Sequence, residues 1–478
     1  MAYMYHAEGV ISSIAADLWA RAYYELGKRV GKEFSAIGIT RNEIVTAYVS
    51  QQGIEVCGRY SENFFDKRFR QRLLAESLDK RKLFQQLVVK VNSLNLSELD
   101  NPELAILLDE YSRCFTDVAG HFTLSQEELT QPVYEYVRAQ LIGLGATDDE
   151  IFTLLLPATL DAVKLEEVAL LKLALSSFND TALKDHIFEH AFMSYGGYNE
   201  EENVASLKKQ LDELSRLGKP ELSRRISAID DKLSKTREEQ QKLSRKYSGA
   251  NALELALFLR DMGLDRFELK KQWAGAEYQC QPLFCEAAKR VGLTVKELFS
   301  RVSMRSLIQA LSSDSKTVLK LEPFSAFYIN DGDLQQLQGK PAEELARRLV
   351  PQFFEEKRVR ELRGVTASPG TAKARARIVK MENASDWRSF EKGDILVTQM
   401  TQPNMTLIMR KAAAVITDEG GITSHAAVLS REFGIPCVVG THTATRAIKD
   451  GDLIEVIAEP SEGVVRILGT TPKAASTP

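Results

Sequence analysis

Thr417-Asp418-Glu419-Gly420-Gly421-Ile422-Thr423-Ser424-His425-Ala426-Ala427-Val428-Leu429-Ser430-Arg431 is the stretch on which the reading of this chain turns. Residues 412–416 ahead of it are a short apolar run of buried-strand length, the paired glycines make a turn, and an alanine-rich helix begins near Ser424 or His425. That order places His425 at a helix start. The first N–H groups of a helix lack partners within it and the helix dipole is positive there, so a phosphoryl dianion on the imidazole would meet donors and a favourable field together. Gly420 and Gly421 let the backbone approach phosphate with no Cβ in the way; Thr423 and Ser424 supply hydroxyls, one of which caps the helix. A neutral imidazole is nucleophilic near neutral pH, and the phosphoramidate it forms is reactive enough to hand the group on. A lone histidine at a helix start is ordinarily a satisfied polar residue, but the glycines and hydroxyls around His425 favour the functional reading.

Working outward, residues 364–469 read as a small mixed β/α domain. Runs rich in β-branched residues at 374–381, 394–400, 412–417, 436–440, 453–458 and 463–468 predict strands, with helices at 404–411 and 425–433 between them. Residues 470–478 are small and polar and predict a disordered tail.

Residues 1–200 predict a helical domain, with apolar positions recurring every three or four residues at 17–30, 65–78, 81–91, 103–119, 131–144 and 160–175. Residues 44–49 and 54–57 flank Ser50-Gln51-Gln52-Gly53 and predict a small β-hairpin inside it. In residues 201–247, Val204, Leu207, Leu211 and Leu214 are followed, after Gly218-Lys219-Pro220, by Leu222, Ile226, Ile229, Leu233, Leu243 and Tyr247. This spacing predicts an antiparallel coiled-coil hairpin inserted in the helical region, with Thr236 and Gln240 interrupting its seam. Such a hairpin serves either as a solvated brace or as a docking surface for another subunit. Residues 248–360 read as a helical continuation and linker, ending in a charged run at 355–361. The fold class is therefore multidomain, a mainly α N-terminal region with a coiled-coil hairpin plus a C-terminal mixed β/α domain.

The bulk properties exclude several classes. A chain of 478 residues exceeds one compact core. A formal net charge of −4 argues against a polyanion-binding surface, so nucleic acid is not the expected partner. Five scattered cysteines without a CxxC pair fit a reducing compartment. No window approaches the roughly 20 apolar residues that span a bilayer, and the N-terminus has no signal-peptide pattern, so a cytoplasmic protein without membrane contact is expected.

Residues 364–468 as a whole resemble the swivelling phosphohistidine domain of PEP-utilising enzymes, the group containing PEP synthase, pyruvate phosphate dikinase and rifampin phosphotransferase. The resemblance is carried, in order, by Ala367-Ser368-Pro369-Gly370, Gly393-Asp394-Ile395-Leu396-Val397-Thr398, the stretch quoted above up to His425, and Arg431-Glu432-Phe433-Gly434-Ile435-Pro436-Cys437-Val438-Val439-Gly440. It implies that His425 accepts a phosphoryl group from ATP or PEP, with Gly420, Gly421, Thr423, Ser424 and Arg431 supporting the phosphoryl oxygens; Arg431, at the far end of its helix, has a structural reading as well. Ala458-Glu459-Pro460 departs from the Asp-Gly common in relatives, in a predicted hairpin turn away from the chemistry.

Residues 1–360 lack the alternating strands and Gly-rich phosphate loops of an ATP-grasp domain, and no barrel is expected after the histidine domain. The resemblance therefore implies a phosphotransferase that is incomplete alone: ATP and Mg2+ on a separate ATP-grasp protein, His425 as the carrier, and an unknown small-molecule acceptor at the helical region. The rival is a non-catalytic, phosphorylation-sensitive interaction module. A PEP-dependent carrier of the sugar-phosphotransferase kind fits less well with a C-terminal histidine domain. Of the remaining groups, His186 and His190 lie four apart on a predicted helix and could share a metal, though no third ligand is evident, so no metal site is assigned. Tyr195-Gly196-Gly197-Tyr198 reads as a loop packed on the core or lining an acceptor cleft, Cys280 and Cys285 as core residues, and His442 as exposed.

Overall fold

Residues 3–10, 12–41, 44–193, 200–313, 324–354, 360–379, 390–401, 405–421, 424–459 and 462–470 are described by the computed structural model. The tail at 471–478 and the Tyr195–Tyr198 loop of the sequence reading lie outside them. The chain forms two units, residues 1–4 and 9–346, and residues 5–8 and 347–478.

The larger unit is mostly helical. Helices Ser13–Val30, Asn101–Thr123 and Asn251–Gln279 turn apolar faces into one core containing Leu18, Trp19, Leu108, Tyr111, Phe115 and Leu255. Trp19 stands edge-on to Trp273, ring centroids 5.1 Å apart, a geometry that adds to plain burial. Caps fix where helices begin: Ser12 Oγ accepts from Ala15 N, and Asp100 with Glu103 forms a capping box. Lys67–Ser93 is one helix of 27 residues where the periodicity predicts two, since Asp79 and Lys80 between them offer neither Gly nor Pro to stop it.

The first five strands are β1 Tyr3–Val10, β2 Ala36–Arg41, β3 Ile44–Ser50, β4 Phe324–Asn330 and β5 Asp333–Gln338, of which β2 to β5 belong to this unit and form a sheet in the order β3-β2-β4-β5. Two expectations are corrected here. The hairpin is β2–β3, and residues 51–60 form the helix Gln51–Tyr60; Ser50 Oγ accepts from Gly53 N at 2.9 Å and so caps a helix instead of opening a turn. Residues 248–360 are likewise not helical throughout, because β4 pairs antiparallel with β2, Ala36 facing Ile329.

The heptad stretch forms two helices, Glu200–Ser215 and Lys219–Lys246, broken at Gly218, whose φ is +79°. Its apolar seam is not reserved for the helix pair. Leu207, Leu211 and Leu222 are fully buried in a cluster with Leu171, Leu183 and Ile187 from the helices Ala162–Leu175 and Asp180–Glu189. Gln240, which interrupts the heptads, is buried and donates from Nε2 to Thr153 O and Leu156 O, both at 2.8 Å, satisfying carbonyls at the end of the helix Asp148–Leu155. The second helix is thus held along its length by neighbouring helices, which differs from a two-helix coil standing in solvent.

The smaller unit is a closed barrel in the order β10-β6-β12-β11-β7-β8-β9, with β6 Glu361–Ser368, β7 Gly370–Ile378, β8 Ile395–Thr398, β9 Ala414–Thr417, β10 Cys437–Val439, β11 Asp452–Glu459 and β12 Glu462–Thr470. β7, β8, β9 and β10 run parallel in succession, and the other neighbours are antiparallel. Short helices Thr406–Met409 and His425–Phe433 connect the parallel strands. Parallel strands covered on both faces read as unbroken apolar runs: Ile395, Val397, Ala414, Ile416 and Val438 point into the barrel core, while Leu396, Val415, Cys437 and Val439 join a second cluster that includes Ala426, Ala427 and Leu429. β6 has no counterpart among the predicted strands, because the charged run before it masks its start.

Gly364 and Gly463 face each other across β6 and β12, and a Cβ on Gly463 would lie 2.7 Å from both methyls of buried Val438. Gly463→Ala is therefore expected to destabilise this unit by about 1–3 kcal/mol through overpacking. Urea denaturation of the full chain checks it, and an unchanged midpoint for the barrel transition would contradict it. Among the described residues no helix is long and apolar enough to cross a membrane.

Candidate functional site

Ligands in sheets of this kind gather beyond the carboxyl ends of the parallel strands. β8, β9 and β10 end at Thr398, Thr417 and Val439, and the three segments that follow bond to one another. Asp418 N donates to Thr398 O at 3.2 Å and Glu419 N to Gln399 O at 2.9 Å, while Gln399 Nε2 donates to Glu419 Oε1 at 3.0 Å. On the other side, Thr441 N and Oγ1 both donate to Thr417 O, at 3.1 and 2.9 Å, and His442 N donates to Asp418 O at 2.9 Å. Thr417 Oγ1 closes the turn by donating to Glu419 O at 2.7 Å.

The turn then reverses at Gly420, whose φ of +104° lies where L side chains rarely go; a Cβ there would meet Ser424 Cβ at 2.8 Å and Oγ at 3.0 Å. Gly421 O accepts from Ser424 N at 3.0 Å. Ser424, in extended conformation, is the N-cap of the helix His425–Phe433, its hydroxyl accepting from Ala427 N at 3.3 Å. His425 is the first residue of that helix; its side chain, and all of Thr423, lie outside the described residues. Ala426 and Ala427 are buried, and their small size seats the helix close to Val415, Cys437 and Val439. The helix stops at Gly434 in the left-handed region, with Ile435 N donating to Ser430 O at 2.9 Å.

The predicted site residues are thus partly brought together. Gly420, Gly421 and Ser424 build the turn and cap at the helix start. Arg431 sits six residues further on, roughly 9 Å along the axis, where its Nε donates to Ala367 O at 2.6 Å at the end of β6. That bond supports its structural reading and ties two of the resembling segments together. Asp394, in a third, accepts from Arg375 Nε at 3.1 Å, Arg377 Nε at 3.3 Å and Glu391 N at 3.0 Å, locking β7 to the segment before β8.

Asp418 has no role in the sequence reading, yet it is the polar residue on which the turn converges. It is 2% exposed, and its carboxylate accepts from Thr445 N at 3.2 Å, from Thr445 Oγ1, and from Thr441 Oγ1 at 3.2 Å. Burial pushes its carboxyl above the usual range, opposed by the bonds from Thr445 and by Arg446. An acidic residue directly after a buried strand was the available signal. His442 is exposed, as expected, but with a φ of +62°.

Elsewhere, His186 and His190 are both buried, ring centroids 4.6 Å apart, and His186 Nε2 lies 3.3 Å from Glu166 Oε1, a contact between helices the sequence could not show. Burial, reinforced by His186, pushes His190 down to about 4. Among the described residues no group of three or more His, Cys, Asp or Glu side chains is placed to hold a metal ion. All five cysteines are free; Cys280 is buried, whereas Cys285 is exposed, correcting its reading as core, because the helix Gln281–Val291 turns Leu283, Phe284, Ala287 and Ala288 inward instead.

Residues 390–459 match the family model for the PEP-utilising enzyme mobile domain. A phosphoenolpyruvate synthase of Pyrococcus furiosus is 45% identical over 133 residues, covering 27% of this chain and 16% of the relative. One from Aeropyrum pernix is 50% identical over 105 residues, 22% of this chain and 12% of the relative. A Bacillus subtilis protein named "Uncharacterized phosphotransferase YvkC" is 38% identical over 141 residues, 30% of this chain and 16% of the relative. The chain thus spans less than a fifth of the length of these curated relatives.

Proposed function

We propose that this chain is the phosphoryl carrier of a phosphotransferase resembling PEP synthase, with a PEP-utilising mobile domain whose His425 is the phosphoryl-accepting residue. The supporting observation is the placement of His425 as first residue of a capped helix, after a positive-φ glycine turn, beyond the carboxyl ends of three parallel strands. First-turn amides and the helix dipole favour an anion at that position. In this reading Nε2 of the neutral imidazole attacks phosphorus, a P–N bond forms as the P–O bond to the leaving group breaks, and the ring gives up its Nδ1 proton to solvent. Gly420, Gly421, Thr423 and Ser424 line the phosphoryl group, and Arg431 serves the helix's seat on β6.

The donor is ATP, bound with Mg2+ on a separate ATP-grasp protein, where the ion neutralises phosphate charge. The smaller unit swivels to deliver the group to a small-molecule acceptor at the helical unit. Incubation with labelled ATP, with and without an ATP-grasp protein encoded beside this chain, tests the division of labour. Acid-labile label is expected only when the partner is present. Label acquired from ATP by the chain alone would overturn the assignment of the nucleotide site to a partner, and label from PEP but not ATP would overturn the donor. A carrier loses its label when the acceptor is supplied, whereas a phosphorylation-sensitive interaction module keeps it.

A further inference from the structure

We infer that Asp418 is a positioning residue, a clamp that sets the phosphoryl-accepting turn by holding it to the segment after β10; this rests on the proposed role of His425. Asp418 bonds through its whole length. Its N–H donates to Thr398 O at 3.2 Å, its carbonyl accepts from His442 N at 2.9 Å, and its carboxylate takes both the N–H and the hydroxyl of Thr445 as well as the hydroxyl of Thr441. One residue therefore ties together the end of β8, the turn after β9 and the segment after β10, two positions before Gly420 reverses the turn.

Two features show that this clamp is costly and specific. A carboxylate 2% exposed is retained only where donors replace its water, and here three converge on it. The segment that supplies them holds His442 at a φ of +62°, which a non-glycine residue adopts only when its surroundings over-determine it. His442 N donates to Asp418 O and Arg446 donates to His442 O at 3.2 Å, so the strained residue is pinned on both sides. The turn itself abuts the same segment: a Cβ at Gly440 would lie 3.3 Å from Gly420 O. Releasing the carboxylate would leave the segment held to the turn only through the bonds from Thr441 to Thr417 O and from His442 N to Asp418 O, and would loosen with Thr445 the conformation that starts the helix at His425.

Phosphoramidate, a small chemical donor, tests this without any partner: the imidazole nitrogen bonds to phosphorus, the P–N bond of the donor breaks, and ammonia leaves carrying the ring proton. The rate of acid-labile labelling at His425 in the full chain is compared among wild type, Asp418→Asn, Thr445→Val and Thr445→Ser, below the melting temperature of each. Thr445→Val keeps the shape of the side chain and removes the hydroxyl; Thr445→Ser keeps the hydroxyl. Asp418→Asn and Thr445→Val are expected to slow labelling on the order of 10- to 100-fold, as misplacement by about an ångström does, and Thr445→Ser is expected to restore most of the rate. Folded Thr445→Val that labels as fast as wild type would overturn the clamp, even if Asp418→Asn failed to fold. A Thr445→Ser variant as slow as Thr445→Val would overturn it too, by assigning the loss to packing. Wild type that takes no label would instead bring down the reading of His425, and the clamp with it.

Discussion

A chain carrying His425→Ala takes up no acid-labile phosphoryl group under any condition that labels the wild type; this is the largest effect expected of any single substitution here. The neighbouring nucleophiles cannot substitute. Ser424 and Thr423 carry hydroxyls that are weak nucleophiles without a base, and Ser424 Oγ is already committed to the helix as its N-cap. A phosphate ester on either would also be acid-stable, so the chemistry of the label separates the cases. The fold is expected to survive, because alanine has the highest helix propensity and the cap and the buried Ala426 and Ala427 remain in place. Far-ultraviolet circular dichroism and the thermal transition should be unchanged while the label falls below detection. Label persisting in this variant would place the phosphoryl group elsewhere.

Gly420→Ala is expected to have the next largest effect and to act without touching the nucleophile. The backbone at Gly420 has φ of +104°, and an L side chain held there costs about 1–3 kcal/mol. The added Cβ would also lie 2.8 Å from Ser424 Cβ, so Ser424 must move, and losing its cap costs about 1 kcal/mol more. Both costs fall on the turn and helix start. The barrel core is untouched, as Gly420 is exposed. Labelling by phosphoramidate should therefore slow by roughly 10- to 100-fold in a chain whose barrel still unfolds cooperatively. A folded variant that labels at the wild-type rate would show that the turn conformation is irrelevant to the reaction.

The legible parts of the molecule were those encoded locally. The helix at His425 and the stop at Gly434 follow from Ser424, the alanines and the glycine, and the parallel strands β8, β9 and β10 from their unbroken apolar runs. What the sequence hid lies in partners far along the chain. β2 pairs with β4 near the opposite end of the larger unit, and neither carries a signal of the other. Ser50 reads equally as a turn residue or a cap, and only Gly53 N decides between them. Gln240 looks like a flaw in a heptad seam until the carbonyls of Thr153 and Leu156 are seen beside it. Within the site, Asp418 directly follows a predicted strand, but its donors Thr441 and Thr445 flank an exposed histidine more than twenty residues on, and nothing local marks them as its partners. Gly364 and Gly463 gain meaning only through Val438, whose methyls occupy the space that a Cβ on either would need.

The most direct test is to treat the wild-type chain with phosphoramidate, digest it at alkaline pH to preserve phosphoramidate bonds, and locate the added phosphoryl group by mass spectrometry. The predicted result is one modified peptide, containing His425, whose phosphoryl group is lost in acid and survives alkali. A modification confined to another histidine, or an acid-stable group on Thr423 or Ser424, would contradict it.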